Sequence, residues 1–264
     1  MTRPVPTRFT DDELALLHLL VVQDAERNRV ELHHTSGIPY REYITRSWSH
    51  VLPNGKRANL DSLADLFSPY DLVGLQEADP GSMRSGFDNQ SDYLAERGRF
   101  PFVSHQANRR ISRIAGSGNA LLSRLEPTEL RDYALPGRVA GRGVLWSRFG
   151  KGKDSWVLAV THLSLGPKSR QVQLDFIAEL LQDEPRVVLM GDFNCDPSAA
   201  EMHALYRRTK LAPPALCVPT FPAWAPDRAL DHVLTAGFHV EDYRAVPAAG
   251  SDHLAVAVTL SEPA

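Results

Sequence analysis

Polar residues that could do chemistry stand at the ends of several apolar runs in this sequence. The stretch VVLMGDFN, residues 187–194, places Asp192 and Asn194 on either side of Phe193. Side chains two positions apart on a strand point to the same face, so we expect this carboxylate and this carboxamide to face a common site. Phe193 is expected to pack on the opposite side of the strand.

Four further segments combine an apolar run with acids, amides or imidazoles. The residues concerned are Gln76 and Glu77 in YDLVGLQEADP, Thr161 and His162 in WVLAVTHLSLG, Asp231 in RALDHVL, and Asp252 and His253 in GSDHLAVAVTL. Taken singly, such residues are more often solvated rim charges, turn formers or half-buried imidazoles. Five such segments favour a single reactive rim, because α/β folds collect reactive groups from distant parts of the chain at one edge of a sheet.

Three of these carboxylates predict a divalent-metal site. Glu77, Asp192 and Asp252 form a hard oxygen set of the kind that Mg²⁺ or Mn²⁺ prefers, with waters left for a phosphate to displace. A zinc site is not indicated, because the sequence has no cysteine cluster and no histidine pair at helical spacing. Asp231 could hold His253 in one orientation, as carboxylates do for catalytic imidazoles.

Composition limits the classes of protein that fit. The chain of 264 residues is 43% hydrophobic, which suits one domain over residues 1–264, and its net charge of −3 gives no general attraction to polyanions. Cys195 and Cys217 are too few for a disulfide framework, so we expect a reducing, cytoplasmic location. The apolar run Leu14–Val22 is shorter than the roughly 20 residues that span a bilayer. It is interpreted as a strand, so no integral membrane segment is expected. No obligate protein partner is inferred from the sequence.

Short apolar runs predict many buried strands, and amphipathic segments between some of them predict helices. The expected strands are Leu16–Val22, Leu72–Leu75, Ala120–Leu122, Val144–Trp146, Trp156–Val160, Arg186–Met190, Leu230–Leu234 and Leu254–Leu260. Helical faces are expected from Leu60 to Phe67 and from Val172 to Leu181. Five prolines mark residues 213–227 as a loop beside the site. Helices alternate with strands only in places, which favours a layered α/β sandwich over one doubly wound sheet.

Six motifs together resemble a known superfamily. They are LQE (75–77), GNALLSR (118–124), THL (161–163), GDFN (191–194), LDHVL (230–234) and SDH (251–253). In this order they resemble the endonuclease/exonuclease/phosphatase superfamily of Mg²⁺-dependent phosphoesterases, which includes DNase I, exonuclease III-type AP endonucleases, neutral sphingomyelinases and inositol-phosphate phosphatases. The resemblance implies a four-layer sandwich of two face-to-face mixed β-sheets flanked by helices.

The resemblance also implies a metal-dependent phosphoester hydrolase that uses in-line attack by water. By position, Glu77 resembles the family's metal-binding glutamate and Asp252 the acid beside the metal. Asp192 resembles the residue that aligns or deprotonates the attacking water, and Asn194 the amide that holds the phosphoryl oxygens. The expected cofactor is Mg²⁺, with Mn²⁺ as the alternative.

Three further positions carry expected roles from the same resemblance. His253, paired with Asp231, resembles the imidazole that contacts the scissile phosphate. His162 resembles the second histidine of the DNase I and sphingomyelinase branches, a candidate acid for the leaving oxygen. Asn119 in GNALLSR resembles a residue on the substrate side of the same rim.

The first strand departs from the family pattern. Family members usually have a strand ending in a metal-binding asparagine, whereas LHLLVVQDA places Gln23 there. The extra methylene moves the amide oxygen by ~1.5 Å, a large error for Mg²⁺ geometry. Gln23 could bind the ion, directly or through water, or Asp24 could replace it, or the alignment could slip so that this segment is not the family's first strand. The alternative function is therefore a catalytically impaired family member that acts as a binding module.

The sequence leaves the substrate open between nucleic acid and a phospholipid or other small phosphodiester. Five arginines could form a phosphate-facing patch beside Asn119, since guanidinium groups match phosphate oxygens: Arg109, Arg110, Arg113, Arg138 and Arg142. A solvated loop explains them equally well. Of these, Arg142 is taken as the candidate substrate-binding residue.

Overall fold

The computed structural model describes residues 17–23, 53–78, 89–111, 115–137, 141–248 and 250–262. Its strands are β1 (Leu17–Gln23), β2 (Leu72–Ala78), β3 (Phe102–Ile111), β4 (Ala115–Ser123), β5 (Glu129–Ala134), β6 (Gly143–Phe149), β7 (Trp156–His162), β8 (Val187–Asp192), β9 (Asp231–Ala236), β10 (His239–Val246) and β11 (Ala255–Ser261). Its helices are α1 (Pro53–Phe67), α2 (Gln90–Gly98), α3 (Pro167–Leu181) and α4 (Ala200–Arg208). Within these ranges no helix has the length and apolar character needed to cross a bilayer.

The strands form two mixed sheets. The first sheet has six strands in the order β10-β11-β1-β2-β4-β3, and the second has five in the order β5-β6-β7-β8-β9. Each sheet contains one parallel pair, β1 with β2 and β7 with β8, among antiparallel neighbours. The parallel pairs are central, so the polar ends of β2, β7 and β8 lie away from the sheet edges.

Buried apolar side chains separate four layers of structure. Leu72 of the first sheet and Met190 of the second belong to one cluster, which fills the space between the sheets. Phe67 of α1 packs on the outer face of the first sheet, and Ile177 of α3 packs on the outer face of the second. The expected four-layer α/β sandwich is therefore confirmed.

Strands β7 and β8 appear as continuous apolar runs because both of their faces are covered. Val157 and Ala159 belong to the cluster on the helix side of the second sheet, whereas Leu158 and Val160 belong to the cluster between the sheets. Strands buried on both faces lack the apolar–polar alternation of half-exposed strands. A polar residue at the end of such a strand is therefore buried as well.

Several elements differ from the sequence-based expectation. Strands β3, β5 and β10 and helices α2 and α4 were not predicted. β5 is an edge strand that is exposed over most of its length, and β10 is also an edge strand, so neither carries an apolar run. In addition, β2 and β7 extend past their apolar runs to Ala78 and His162, which places candidate site residues inside the strand ends.

Candidate active site

Three of the predicted site residues occupy one row across the second sheet. The parallel register of β7 and β8 pairs His162 with Asp192, and the antiparallel register of β8 and β9 pairs Asp192 with Asp231. All three are buried, and Asp192 is only 1% exposed. Residues 162, 192 and 231 are distant in sequence, so it is the strand register that makes them neighbours.

Gly191 permits the close approach of β7 and β8 in this row. Its φ is 145°, a conformation that residues with a side chain rarely adopt. A Cβ atom at this position would overlap the carbonyl oxygen of Thr161. The glycine of GDFN is therefore required by the backbone that holds Asp192 beside His162.

His162 contacts the carboxylate of Asp192 and lies near that of Glu77. Its Nε2 lies 3.2 Å from Oδ2 of Asp192, and its Nδ1 lies 3.8 Å from Oε1 of Glu77 in the first sheet. Burial alone would raise the pKa of Asp192. The hydrogen bond and charge of His162, the charge of His253 and the backbone N–H of Asn194 outweigh burial and lower that pKa to about 2. Asp192 is therefore ionised at neutral pH.

A second imidazole–carboxylate pair stands at the other end of the row. His253 Nδ1 lies 2.7 Å from Oδ2 of Asp231, and both residues are buried. Burial alone would lower the pKa of His253, but the charge and hydrogen bond of Asp231 and the charges of Asp192 and Asp252 raise it to about 9. His253 is therefore an imidazolium at neutral pH in the metal-free protein.

The proline-rich loop orients this pair. The hydroxyl of Thr220 donates to Oδ2 of Asp231 at 2.6 Å, and the same hydroxyl accepts from the backbone N–H groups of Leu230 and Asp231. The ring of Phe221 packs on the imidazole of His253, with 4.8 Å between ring centroids. The loop at residues 213–227 contains no regular strand or helix, as expected, and it lies beside the site.

A β-bulge turns Glu77 toward the second sheet. Leu75 pairs with Ala120 and Ala78 pairs with Gly118, so Gln76 and Glu77 together oppose the single residue Asn119. Glu77 has a φ of 60° in the left-handed region. A bulge of this kind redirects a side chain that regular alternation would aim elsewhere. The carboxylate of Glu77 consequently approaches His162 across the space between the sheets.

Asn194 reaches Asp192 by a different route from the one expected. The strand ends at Asp192, and Asn194 has a left-handed φ of 53° in the turn that follows. Its backbone N–H donates to Oδ1 of Asp192 at 2.8 Å, and its Nδ2 donates to Oδ2 at 3.2 Å and to the carbonyl of Leu163 at 2.9 Å. The two side chains do meet, but through a turn rather than through strand alternation. Phe193 is fully buried on the helix side of the sheet.

The acidic residues at this rim fit a divalent cation. Asp252 is exposed, yet the protein surrounds its carboxyl closely enough that desolvation raises its pKa. The neighbouring negative charges of Glu77 and Asp192 raise it further, whereas His253 lowers it. A cation among Glu77, Asp192 and Asp252 would offset this mutual repulsion. The donor set consists of oxygen atoms, as Mg²⁺ and Mn²⁺ prefer.

A second possible donor set lies among Asp192, Asp231 and His253, whose ligand atoms all fall within 4.8 Å of one another. Within this group, the Nδ1 of His253 is engaged with Oδ2 of Asp231, and the hydroxyl of Thr220 donates to the same oxygen. This group is therefore better suited to proton handling and anion binding than to holding a metal.

Three predicted residues lie around this centre. The amide nitrogen of Asn119 donates to the Gly143 carbonyl at 2.9 Å, and half-buried Arg142 precedes that glycine. Gln23 ends β1 and is in register with Gln76 of β2, while its side chain is outside the described part of the structure. Arg109 and Arg110 belong to β3, but their side chains are not described, and positions 113 and 138 lie outside the described residues.

Sequence reasoning missed two buried polar residues that support the site, Thr220 and Gln106, and gave no role to a third, Gln76. Thr220 holds Asp231, Gln106 bonds to Asn119, and Gln76 is fully buried beside Glu77. Both side-chain polar atoms of Gln76 lack a hydrogen-bond partner among the described residues. Only Gln76 carried a signal, since it precedes the metal-binding glutamate of the LQE motif.

Comparison with known proteins agrees with this geometry. The model of the endonuclease/exonuclease/phosphatase family matches residues 50–253, most of the chain. The chain belongs to the endonuclease/exonuclease/phosphatase family. The resemblance indicated by the six motifs is thereby confirmed. No curated protein matches the chain.

Solved structures share the fold of this family member at low sequence identity. An endonuclease/exonuclease/phosphatase from Beutenbergia cavernae is 19% identical, with a TM-score of 0.70 over 94% of this chain and 72% of that one. A mannosyl-6-phosphatase from Bacteroides thetaiotaomicron is 18% identical, with a TM-score of 0.64 over 92% and 99% of the two chains. A humanized TDP2 of D. rerio is 13% identical, with a TM-score of 0.65 over 93% and 99%. At these identities the likeness establishes the fold, and members of the family hydrolyse phosphoesters.

Proposed function

We propose that this family member is a divalent-metal-dependent hydrolase of phosphodiesters, which cleaves the ester by in-line attack of water. The observation that carries the proposal is the buried row of His162, Asp192 and Asp231, extended by His253 on Asp231. These residues place an ionised carboxylate, Asp192, and an imidazolium, His253, at one rim. In-line hydrolysis needs an acceptor on the water side and positive charge on the phosphate side.

Glu77 and Asp252 are proposed to hold Mg²⁺ or Mn²⁺, with Gln23 as a further ligand. When bound, such an ion stabilises negative charge that develops on the phosphoryl and leaving oxygens. Asp192 accepts a hydrogen bond from the attacking water and thereby aligns it. Its lowered pKa makes alignment a larger part of its role than proton removal.

The two histidines have distinct proposed roles. His253 donates from Nε2 to a phosphoryl oxygen, while Asp231 holds its Nδ1 and stabilises the positive charge. His162 is the candidate acid for the leaving oxygen and can present Nδ1, because its Nε2 is engaged with Asp192. For Asn194 to bind a phosphoryl oxygen, its Nδ2 must exchange one of its two present hydrogen bonds.

The experiment measures hydrolysis of bis-p-nitrophenyl phosphate and of plasmid DNA with Mg²⁺ or Mn²⁺, and again after EDTA. The proposal expects activity that EDTA abolishes and that an added divalent ion restores. EDTA-insensitive activity, or no activity on any phosphoester with any divalent ion, would contradict it. p-Nitrophenyl phosphate is included because one structural neighbour is named as a phosphatase.

The substrate class is proposed to be nucleic acid or a small or lipid phosphodiester. Arg142 and the amide of Asn119 are the proposed substrate-side groups, since both lie next to Gly143 at this rim. Comparing rates on plasmid DNA, single-stranded DNA and phosphodiester lipids in detergent micelles separates the classes. We further propose one domain over residues 1–264 and a cytoplasmic location, in keeping with two unpaired cysteines.

A second candidate function is a binding module that has lost catalysis. Gln23 favours it, because this residue replaces the expected metal-binding asparagine at the end of β1. Calorimetric titration with Mn²⁺ separates the two functions. A silent module should show no binding in the millimolar range while remaining folded, and Gln23→Asn should then restore metal binding.

A further inference from the structure

Three acceptors fix the orientation of the Gln106 side chain. Its Nε2 has three oxygen acceptors within hydrogen-bond distance for its two N–H groups: the carboxylate of Asp132, the carbonyl of Tyr133 at 3.1 Å and the carbonyl of Val144 at 3.0 Å. A flipped amide would place its oxygen against these three oxygen atoms. The nitrogen of Gln106 must therefore face the second sheet, and its Oε1 must face Asn119 on β4.

The orientation of Gln106 in turn determines that of Asn119. Nδ2 of Asn119 donates to Oε1 of Gln106 and to the carbonyl of Gly143, each at 2.9 Å, and lies 3.5 Å from the carbonyl of Val160. A flip of Asn119 would again oppose oxygen atoms only. The amide nitrogen is thus fully occupied by the protein, and Asn119 can offer only its Oδ1 to any further group.

That oxygen is buried without a partner. Asn119 is 2% exposed, and its Oδ1 accepts no hydrogen bond from the described residues. A buried acceptor left unsatisfied is unfavourable and calls for an explanation such as a bound group. Asn119 opposes the bulge that carries Gln76 and Glu77. Asn119 is therefore a strand neighbour of Glu77, and its Nδ2 is taken up on the side of β3 and the second sheet.

The neighbouring amide of Gln76 is a second indication of a bound group at this place. Gln76 is fully buried, and neither of its side-chain polar atoms has a hydrogen-bond partner among the described residues. Unsatisfied buried polar atoms are rare in folded proteins. Three of them, one on Asn119 and two on Gln76, lie on adjacent strands beside Glu77. They indicate a place for a hydrogen-bonding group that the described residues do not supply.

We propose that Gln106 is a positioning residue that holds Asn119 as a hydrogen-bond acceptor for a hydroxyl or water at this rim. This inference rests on the proposed function and refines it. An ionised phosphoryl oxygen has no proton to donate, so Asn119 does not bind the phosphate itself. The donor is either a hydroxyl of the substrate or a water that accompanies the metal.

The test compares two substitutions of Gln106. Gln106→Met removes the amide at nearly constant length and should lower kcat about tenfold. Gln106→Glu keeps the shape but sets a second oxygen against three acceptors, so its activity should be no higher than that of the methionine variant. If Gln106 only filled space, the glutamate variant, which keeps the shape of glutamine, would be more active than the methionine variant. Gln90→Met is the control, because Gln90 is a buried glutamine of α2 on the outer side of the first sheet.

Two substrates distinguish the sources of the donor. Bis-p-nitrophenyl phosphate has no hydroxyl, whereas the p-nitrophenyl ester of thymidine 5′-phosphate has a free 3′-hydroxyl. If the donor is a substrate hydroxyl, Gln106→Met lowers kcat/KM only for the thymidine ester. If the donor is a water, Gln106→Met lowers kcat/KM by the same factor for both substrates. Unchanged kinetics on both substrates, in a wild type that is active, overturn the inference.

A measurement independent of turnover uses the side-chain amide signals of Asn119 in nuclear magnetic resonance spectra, assigned with Asn119→Ser. The Nδ2 protons should exchange slowly in the wild type and faster in Gln106→Met. Mg²⁺ with thymidine 5′-phosphate, which supplies a sugar hydroxyl as well as the water that accompanies the metal, should shift these signals. If the wild type hydrolyses no phosphoester, the proposed function fails, and this titration alone decides the inference: shifted signals support it, and unshifted signals overturn it.

Discussion

Nε2 of His162 lies 3.2 Å from Oδ2 of Asp192, and the two residues are direct register partners on the parallel strands β7 and β8. This contact follows from the backbone, because Gly191 lets β8 pass close to the carbonyl of Thr161. The hydrogen bond, together with the surrounding positive charge, keeps Asp192 ionised in spite of its burial. A buried carboxylate that remains charged is a typical feature of a catalytic site.

Replacement of Asp192 by asparagine is expected to remove most of the activity without unfolding the protein. Asparagine keeps the size of the side chain and one oxygen for the N–H of Asn194, but it cannot carry the negative charge that aligns water. Losses for such groups are about 10²- to 10⁴-fold. The measurements are kcat/KM on bis-p-nitrophenyl phosphate and the thermal midpoint by circular dichroism.

The matched control for this substitution is Asp183→Asn, at an exposed position after α3. It should keep the kinetics of the wild type. Activity of Asp192→Asn within a factor of three of the wild type would place the catalytic carboxylate elsewhere. A large fall in its thermal midpoint would instead assign Asp192 a mainly structural role.

The pair of Asp231 and His253 predicts a pH dependence of stability in the metal-free protein. The folded-state pKa of His253, about 9, is above the ordinary value of 6.5. Its stabilising contribution is therefore complete below pH 6.5 and is lost as the pH rises through 9. Asp231→Asn removes the largest of the charges that raise this pKa, so the pKa of His253 should fall from about 9.

Two measurements in EDTA check this expectation. Nuclear magnetic resonance titration of the His253 ring proton gives its pKa in the wild type and in Asp231→Asn. Urea unfolding at pH 6 and pH 9.5 gives the stability difference between the two proteins, which should be larger at pH 6. An unchanged pKa for His253 in the variant would show that Asp231 is not its controlling partner.

The sequence predicted the layers of the fold and the residues of the rim, but not the local backbone geometry that orients the side chains of those residues. Glu77 reaches His162 through a bulge, which arises from pairing with β4 and has no signature in the LQE motif. Asp192 and Asn194 do meet as expected, yet the contact is made in a left-handed turn after the strand. Local backbone conformation depends on tertiary pairing, so periodicity alone could not give it.

The supporting polar residues were missed for a related reason. Gln106 lies in β3, whose sequence FVSHQANRRI is too polar to predict a strand, and Thr220 lies in a loop with no periodic pattern. Both act through partners more than ten residues away in the chain. Their role becomes visible only when the hydrogen bonds of the folded protein are known.

Gly191→Ala is expected to destabilise the protein strongly. The substitution combines a φ of 145° with an overlap between the new Cβ and the Thr161 carbonyl oxygen. Strain and overpacking of this kind cost ~3 kcal/mol together. The free energy of unfolding in urea measures the effect. Gly166→Ala is the control, because a Cβ there meets no atom within 4 Å. Gly166 is the N-cap of α3, so alanine there should cost no more than about 1 kcal/mol.

The two cysteines should differ sharply in reactivity. Cys195 is buried next to Asn194, and burial raises the pKa of its thiol to about 12. Cys217 is exposed in the proline-rich loop, and its pKa is raised by burial of the sulfur and by the charge of Asp196. Both thiols are thus poorly ionised, and solvent access to the sulfur decides which of them reacts, because the thiolate is the reactive form.

At pH 8 we expect one thiol to react with 5,5′-dithiobis(2-nitrobenzoate) in the native protein and two in guanidinium chloride. Cys217→Ser should remove the native reaction, and a second native thiol that reacts at a similar rate would show that the turn after Asp192 opens in solution.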